Sequence, residues 1–279
     1  MPPFRRLAFV VNPDRPGATE LADELLEIAG RAGVKQTKLN KGRKLPRGYF
    51  KGCDAVCVVG GDGTLLGVVR AAARQGIPVI GVNRGSLGFL TTYSADEARA
   101  QFAAIIGGDY HLASRALLDC RAGAGHHDIA LNDVLIKNEV NSRLVRLEVF
   151  ANGELVTDYY SDGIIFSTPT GSTAYNLAAG GPIMHPSVPA IAMTPICPHT
   201  LSNRTIIFRD DVKLRIVNRT EDARLLVAMD GQRNSVVTGG SIDITLAPQP
   251  IALVQPRKYS HFEVMRSKLK WSGGLADKR

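Results

Sequence analysis

At 279 residues, 44% of them hydrophobic, the chain can bury one large core or two ordinary ones, and two domains are expected. The net charge of +8 is spread along the sequence, and its one dense run, "KLNKGRKLPRGYFKG" (38–52), has no interleaved aromatics and no helix-turn-helix or zinc-finger pattern, so it reads as a solvated loop and nucleic acid is not expected as a partner. Only five apolar residues lie between Arg6 and Asn12, with no cleavage pattern behind them, and no stretch reaches the roughly 18 apolar residues of a membrane span; neither a signal peptide nor a membrane partner is expected, and the protein reads as cytoplasmic.

The first hundred residues alternate strand and helix signals, the pattern of a parallel α/β sheet. "LAFVVN" is a short buried strand ended by Pro13. "TELADELLEIAGRAG" follows as a helix with Leu21, Leu25, Ile28 and Ala29 on one face, Thr19 as N-cap and Gly30 or Gly33 near the stop. Next come the strand "DAVCVV", the helix "TLLGVVRAAARQG", the strand "IPVIGVN" and the helix "ADEARAQFAAII" (95–106). After Gly107 and Gly108 the pattern changes. Asn152-Gly153 between apolar-rich segments is the strongest hairpin signal in the chain, and "DVKLRIVN", "ARLLVAMD", "SIDITLA" and "IALVQ" are further strands with little helix among them. The expected fold is therefore an α/β N-terminal domain with a Rossmann-like parallel sheet (1–108) and an all-β C-terminal sandwich (109–250). A partly helical tail (251–279) is expected to pack back on the first domain.

Cys53, Cys57, Cys120 and Cys197 lack the paired spacing of zinc ribbons or disulfide scaffolds and read as buried thiols. His126 and His127 adjoin, but neighbours on a strand or loop point apart. No metal site is expected from protein side chains.

Chemistry concentrates first at "VGGDGT" (59–64), where a buried strand leaves through three glycines around one aspartate. Glycine lets a ligand come against the peptide N–H groups, and a helix N-terminus favours anions, so Gly60, Gly61, Gly63 and Thr64 are candidates for holding a phosphate. The turn has neither the lysine of "GxxxxGK[ST]" nor the spacing of "GxGxxG". A carboxylate there would repel a bare phosphate unless it serves an attacking hydroxyl or a bridging cation; for a lone "GDG", a turn or N-cap aspartate is the bland alternative. A second constellation, "SDGIIFSTPTGSTAYNLAAGGPIMHP" (161–186), is long and dense in hydroxyls and reads as a binding loop. In "ALNDVLIKN" (130–138), Asn132 and Asp133 set an amide and a carboxylate where they could read a sugar diol.

Together with "TPICPHTLSNR" (194–204), "MDGQ" (229–232) and "KLKW" (268–271), the motifs "GGDGT", "LNDV" and "TPTGSTAYNLAAGGP" resemble the NAD kinases over essentially the whole chain. The "GGDG" step alone is shared with lipid and sphingoid kinases, whereas the "TPTGSTAY" block resembles only the NAD kinases. The resemblance implies transfer of the γ-phosphoryl group of ATP to the 2′-hydroxyl of the adenosine ribose of NAD, giving NADP. It makes Asp62 the catalytic carboxylate, with Gly63 beside it on the substrate. It assigns NAD contacts to Asn132, Asp133, Arg143, Tyr160 and Asp162, to the run Thr173, Ala174, Tyr175, Asn176, Leu177 and Ala178, and to Gln232. Tyr160 departs from the basic or small residue that other members often carry. Mg²⁺ bound largely through the ATP phosphates and a homodimer or homotetramer are implied in the same way. The alternatives are a lipid or sphingoid kinase, which would need an apolar groove or amphipathic segment that the chain lacks, and a non-catalytic dinucleotide sensor, whose mark would be loss of the aspartate. On this reading Asp62→Asn is expected to lower turnover by about 10²- to 10⁴-fold and to leave the melting temperature close to that of the parent chain.

Overall fold

Strands apolar on both faces, alternating with helices apolar on one, assemble in the computed structural model into a mostly parallel sheet. The structure describes residues 1–42, 44–85, 88–123, 125–140, 143–200 and 202–271; Leu201 of the "TPICPHTLSNR" stretch lies outside them. The chain forms two units, residues 1–113 joined by the segment from Ile251 onward, and Ser114–Pro250.

In the first unit the order along the chain is β1 (Arg6–Val11), α1 (Ala18–Arg31), β2 (Gln36–Asn40), β3 (Ala55–Gly60), α2 (Asp62–Gln75), β4 (Val79–Asn83), β5 (Tyr93–Ser94), α3 (Ala95–Gly107) and β6 (His111–Arg115). β1 has β2 on one side and β3 on the other, both parallel to it, and β4 lies beyond β3. The β1–β3 boundary is therefore the point where successive connections diverge, and the glycine turn leaves β3 at that end of the sheet. α1 buries Leu21, Leu25 and Ala29 as its pattern requires. Its N-cap is Gly17, at φ 74°, and not Thr19, which lies inside the first turn; the left-handed backbone there is open to glycine at little cost. Part of the basic run is strand: Lys38 belongs to β2, an edge strand whose one apolar residue is Leu39, and its ammonium donates to the carbonyls of Tyr49 and Lys51 at 3.1 and 2.9 Å. α3 opens with a capping box in which Ser94 accepts from Glu97 N–H and Glu97 accepts from Ser94 N–H.

The second unit holds β7 (Leu118–Ala122), β8 (His126–Ala130), β9 (Asp133–Asn138), β10 (Val145–Ala151), β11 (Glu154–Ser161), β12 (Gly163–Ser167), a 3₁₀ turn (Thr170–Thr173) and the short α4 (Tyr175–Ala178). It continues with β13 (Ala190–Ile196), β14 (Ile206–Arg209), β15 (Leu214–Asn218), β16 (Arg224–Met229), β17 (Arg233–Thr238) and β18 (Ser241–Leu246). Two six-stranded antiparallel sheets result, ordered β11-β10-β15-β18-β7-β8 and β14-β13-β12-β9-β16-β17. Their apolar faces share one core: Leu147, Val149, Ile216 and Ile244 come from the first sheet, and Val134, Ile136, Phe166 and Val227 from the second. Asn152 and Gly153, at φ 52° and 90°, make the β10–β11 hairpin. The chain then returns to the first sheet as β19 (Ile251–Gln255), parallel to β4, and ends its described part with α5 (His261–Leu269). Cys53, Cys57 and Cys120 are buried, but Cys197 is exposed, held at φ 44° just past the end of β13.

Gly81, in the middle of β4, brings the segment before β5 against the sheet, because a Cβ there would lie 2.8 Å from Thr91 Cα and 3.0 Å from both Leu90 O and Leu65 Cδ1. Gly81→Ala is therefore expected to cost about 1–3 kcal/mol, as overpacking of a core does. Urea unfolding reads this as a lower midpoint; an unchanged midpoint would mean that the Leu90–Thr91 backbone yields freely.

Candidate functional site

Two clusters of the residues singled out by sequence form, one in each unit. In the first, β3 ends at Gly60 and the chain turns into α2, whose first residue is Asp62. A Cβ on Gly60 would lie 2.6 Å from Thr64 Oγ1 and 3.1 Å from Asn12 Cβ, so the turn closes only with glycine there. Asn12 Nδ2 donates to Thr64 Oγ1 at 3.3 Å, tying the end of β1 to the first turn of α2. The N-cap of α2 is Gly61, which caps nothing with a side chain.

Asp62 is not an N-cap. Its Oδ2 accepts from Phe89 N–H at 2.9 Å, and its Oδ1 accepts from the N–H groups of Leu90 (3.2 Å) and Thr91 (2.9 Å) and from the Thr91 hydroxyl (2.8 Å). Gly88 makes this possible, since a Cβ there would collide with Asp62 Oδ1 and Thr91 Oγ1. An amide at position 62 would turn its NH₂ toward one of these donors. The expectation that Asp62→Asn leaves the melting temperature close to that of the parent chain is thereby corrected: the variant loses hydrogen bonds as well as charge.

Two arginines escape a reading of motifs alone. A Cβ on Gly17 would lie 2.5 Å from Arg84 Nη2, and one on Gly61 would lie 3.7 Å from Arg15 Nη2. The Arg84 Nε is buried without a hydrogen-bond partner among the described residues. The available signal is that each arginine closely follows a strand-ending asparagine, Asn12 or Asn83, and it acquires meaning only once β1, β3 and β4 are neighbours.

The second cluster surrounds a cavity of about 200 Å³. Asn132, Asp133, Ala174 and Tyr175 line it together with Leu135, Ala228, Asp230 and Gly231. Asp230, which stands in "MDGQ" two residues before Gln232, organises this cluster. Its carboxylate accepts from three successive N–H groups, Leu131 at 3.0 Å, Asn132 at 2.7 Å and Asp133 at 3.3 Å. On the other side of that segment, the Thr168 N–H and Ser167 hydroxyl donate to Asn132 O, and the Thr168 hydroxyl donates to Leu131 O. Gly171 packs directly on the Asn132 backbone, where a Cβ would collide. Asp133 faces the cavity, hydrogen-bonded by the Tyr175 N–H, and burial together with the like charge of Asp230 pushes its carboxyl up to about 7. Burial also raises Asp230, against the hydrogen bonds it accepts and the nearby Arg233.

The hydroxyl-dense stretch is largely internal cement. Ser172 donates to Pro169 O and accepts from Met184 N–H, and Asn176, fully buried, donates to Pro182 O while its Oδ1 accepts from Thr194. A side chain on Gly181 would collide with that amide. Thr173 and Leu177 are half-buried and Ala178 is exposed. Arg143 is exposed between β9 and β10, and Asp162 is exposed between β11 and β12. Tyr160 is exposed with its ring centroid 5.5 Å from that of His199, and Gln232 is exposed on the β16–β17 turn. None of these lines the cavity. Among the described residues no three His, Cys, Asp or Glu gather closely enough to hold a metal ion, and no helix is long and apolar enough to cross a membrane.

Known proteins share this arrangement of sequence and fold. A family model described as the ATP-NAD kinase N-terminal domain matches residues 35–110, and one described as the ATP-NAD kinase C-terminal domain matches residues 131–255. An NAD kinase of Pseudomonas putida is 43% identical over 230 residues, 80% of this chain and 77% of the relative. One of Azotobacter vinelandii is 44% identical over 229 residues, 80% of this chain and 78% of the relative. Among solved structures, yeast NADH kinase complexed with NADH superposes with a TM-score of 0.86 at 24% identity, covering 99% of this chain and 90% of that one. An NAD kinase from Archaeoglobus fulgidus in complex with ATP gives a TM-score of 0.80 at 21% identity, covering 95% and 98%.

The buried carboxyl of Asp133 ties stability to pH with a definite sign. Between the unfolded-state value near roughly 4 and the folded value of about 7, the native state holds a proton that the unfolded chain has released, so this group's contribution falls as pH rises through that window and levels above it. Urea midpoints at pH 5 and pH 8 should therefore differ less in Asp133→Asn than in the parent chain. An equal difference in both would show that Asp133 ionises normally.

Proposed function

The chain belongs to the NAD kinase family, enzymes that phosphorylate NAD at the expense of ATP, and on that premise we propose how its residues divide the reaction. The observation that carries the proposal is Asp62, a carboxylate at the first residue of α2, beside a glycine turn at the divergence point of the sheet. The N–H groups of Gly61 and Gly63 at the start of α2, with the cations of Arg15 and Arg84, receive the donor phosphates, whereas the Thr64 N–H already donates to Gly61 O at 3.0 Å and Gly60 ends β3. The orphaned Arg84 Nε supports this, because a buried guanidinium N–H without an acceptor is costly until an anion supplies one.

Asn132 and Asp133 hold the ribose hydroxyls of NAD, and the half-exposed ring of Tyr175 offers a flat apolar face beside them. Asp133 accepts from hydroxyl donors best when ionised. NAD affinity should accordingly rise from pH 6 to pH 8, through the value near 7 to which burial lifts this carboxyl. The 2′-oxygen attacks the γ-phosphorus, a new P–O bond forms, and the bond from that phosphorus to the oxygen of departing ADP breaks. The hydroxyl proton passes to Asp62. The transition state for such a transfer is loose, so alignment and charge neutralisation outweigh a strong base, and the proton moves late. A divalent cation, Mg²⁺ by its affinity for phosphate oxygens, supplies that neutralisation when it arrives on ATP, with phosphates and water as its ligands; an acidic cage is not required of the protein.

The test uses the whole chain with Mg²⁺, ATP and NAD, and reads NADP with an NADP-specific dehydrogenase. Asp62→Asn should reduce turnover by about 10²- to 10⁴-fold, with NAD binding retained by Asn132 and Asp133 in the folded fraction. Turnover at the parent rate would make Asp62 a structural anchor only. Asp133→Ala should weaken NAD binding by about one to two orders of magnitude, since hydrogen bonds to a charged group are worth roughly 1.5–3 kcal/mol. Calorimetry giving an unchanged Kd would remove Asp133 from the ribose.

A further inference from the structure

The two oxygens of Asp62 are not equivalent. Oδ1 carries three donors, the N–H groups of Leu90 and Thr91 and the Thr91 hydroxyl, while Oδ2 carries the Phe89 N–H. A carboxylate offers about four lone-pair directions, two on each oxygen. Oδ1 is therefore fully engaged, and Oδ2 keeps one direction open.

The engagement of Oδ1 reaches one residue further. Thr91 Oγ1 also lies 2.7 Å from Asn83 Nδ2. A carboxylate can only accept, so the single hydroxyl proton of Thr91 must point to Asp62, and the group that Asn83 turns toward Thr91 must be its NH₂. The direction of the whole chain, Asn83 to Thr91 to Asp62, follows without choice. Both upstream side chains are buried, Thr91 at 0% exposure and Asn83 at 6%, so water does not compete for these bonds. Backbone geometry fixes them as well: Asn83 is in register with Gly60 across β3 and β4, and Gly81 and Gly88 leave no side chain between the sheet and Thr91.

We infer that Thr91 and Asn83 are positioning residues for phosphoryl transfer, locking Oδ1 of Asp62 so that Oδ2 is the oxygen that receives the proton of the attacking hydroxyl. The inference rests on the catalytic reading of Asp62 given above. Without the Thr91 hydroxyl the shortest of the three bonds on Oδ1 is lost, the remaining N–H groups hold the carboxylate less tightly about its terminal torsion, and the open direction on Oδ2 is less sharply fixed. A displacement of this kind acts on the chemical step and leaves substrate binding alone.

Thr91→Val keeps the shape and removes the hydroxyl. With saturating ATP, Mg²⁺ and NAD, kcat should fall by roughly 10- to 100-fold, with KM for NAD and ATP unchanged. Thr91→Ser, which restores the hydroxyl, should recover most of the rate. Asn83→Leu should lower kcat in the same sense. In an Asp62→Asn background, Thr91→Val should cause little further loss, because the residue it acts through is already disabled. A thermal melt of each variant normalises the rates to folded enzyme. If Asp62→Asn loses turnover while Thr91→Val, folded, keeps the parent kcat, the positioning role is overturned and the catalytic reading stands. If Asp62→Asn itself keeps the parent kcat, the catalytic reading falls and the inference with it. Equal losses from Thr91→Val and Thr91→Ser, or a full further loss in the Asp62→Asn background, would assign Thr91 to packing.

Discussion

Two segments of this chain that lead into strands present successive N–H groups to a single carboxylate, and in each one aspartate takes three. Asp62 accepts from residues 89, 90 and 91, and Asp230 accepts from residues 131, 132 and 133. Buried N–H groups need partners, and a charged acceptor makes stronger bonds than a carbonyl. Each aspartate thus permits a stretch of backbone to leave regular structure at the end of a strand without orphaned donors. The residues named for chemistry sit on or beside these stretches: Asp62 is itself the first clamp, and Asn132 and Asp133 are held by the second.

The glycines are the steric counterpart of the clamps. Gly88 leaves room for the Asp62 carboxylate, Gly81 lets the Leu90–Thr91 backbone lie on β4, and Gly171 lets its loop rest on the Asn132 peptide. In each case the absent Cβ is replaced by a polar or backbone atom of a segment distant in sequence. The glycines of "GGDGT" suggested close approach by a ligand. The approach observed at Gly60 and Gly171 is by the protein itself.

The alternation of elements in the first hundred residues, the Asn152-Gly153 hairpin and the switch to strands after Gly108 were legible because periodicity and turn chemistry are local. β2 was not, since an edge strand with Leu39 as its one apolar residue leaves no alternation to find. Thr19 looked like an N-cap because capping preference is a side-chain signal, whereas the backbone at Gly17 decided the start of α1. The polar side chains of 168–176 read as ligand groups from their density; the hydroxyls of Thr168 and Ser172 and the amide of Asn176 turn inward. Asp230 was hidden for a different reason. Its partners lie 97 to 99 residues away, and nothing in "MDGQ" announces three N–H groups that come near only when β9 pairs with β16.

Asp133 and Asp230 also share the burden of charge unequally, and the inequality bears on recognition. Asp230 meets three N–H groups and lies near Arg233, so its ionised form is compensated even while burial works against it. Asp133 meets the Tyr175 N–H in a small cavity, feels the like charge of its neighbour, and holds its proton above the ordinary carboxylate range. Its acceptor capacity is therefore not exhausted by the fold. A ligand that brings hydroxyl donors provides what the protein withholds from this carboxylate, stabilising its charged form as it binds. A ligand offering only acceptors, such as a phosphate, meets two buried carboxyls and is repelled. On the proposed division of the reaction, the same arrangement that makes Asp133 costly to ionise favours the sugar over the phosphates at this cavity, and the phosphates fall to the arginines and N–H groups around the glycine turn.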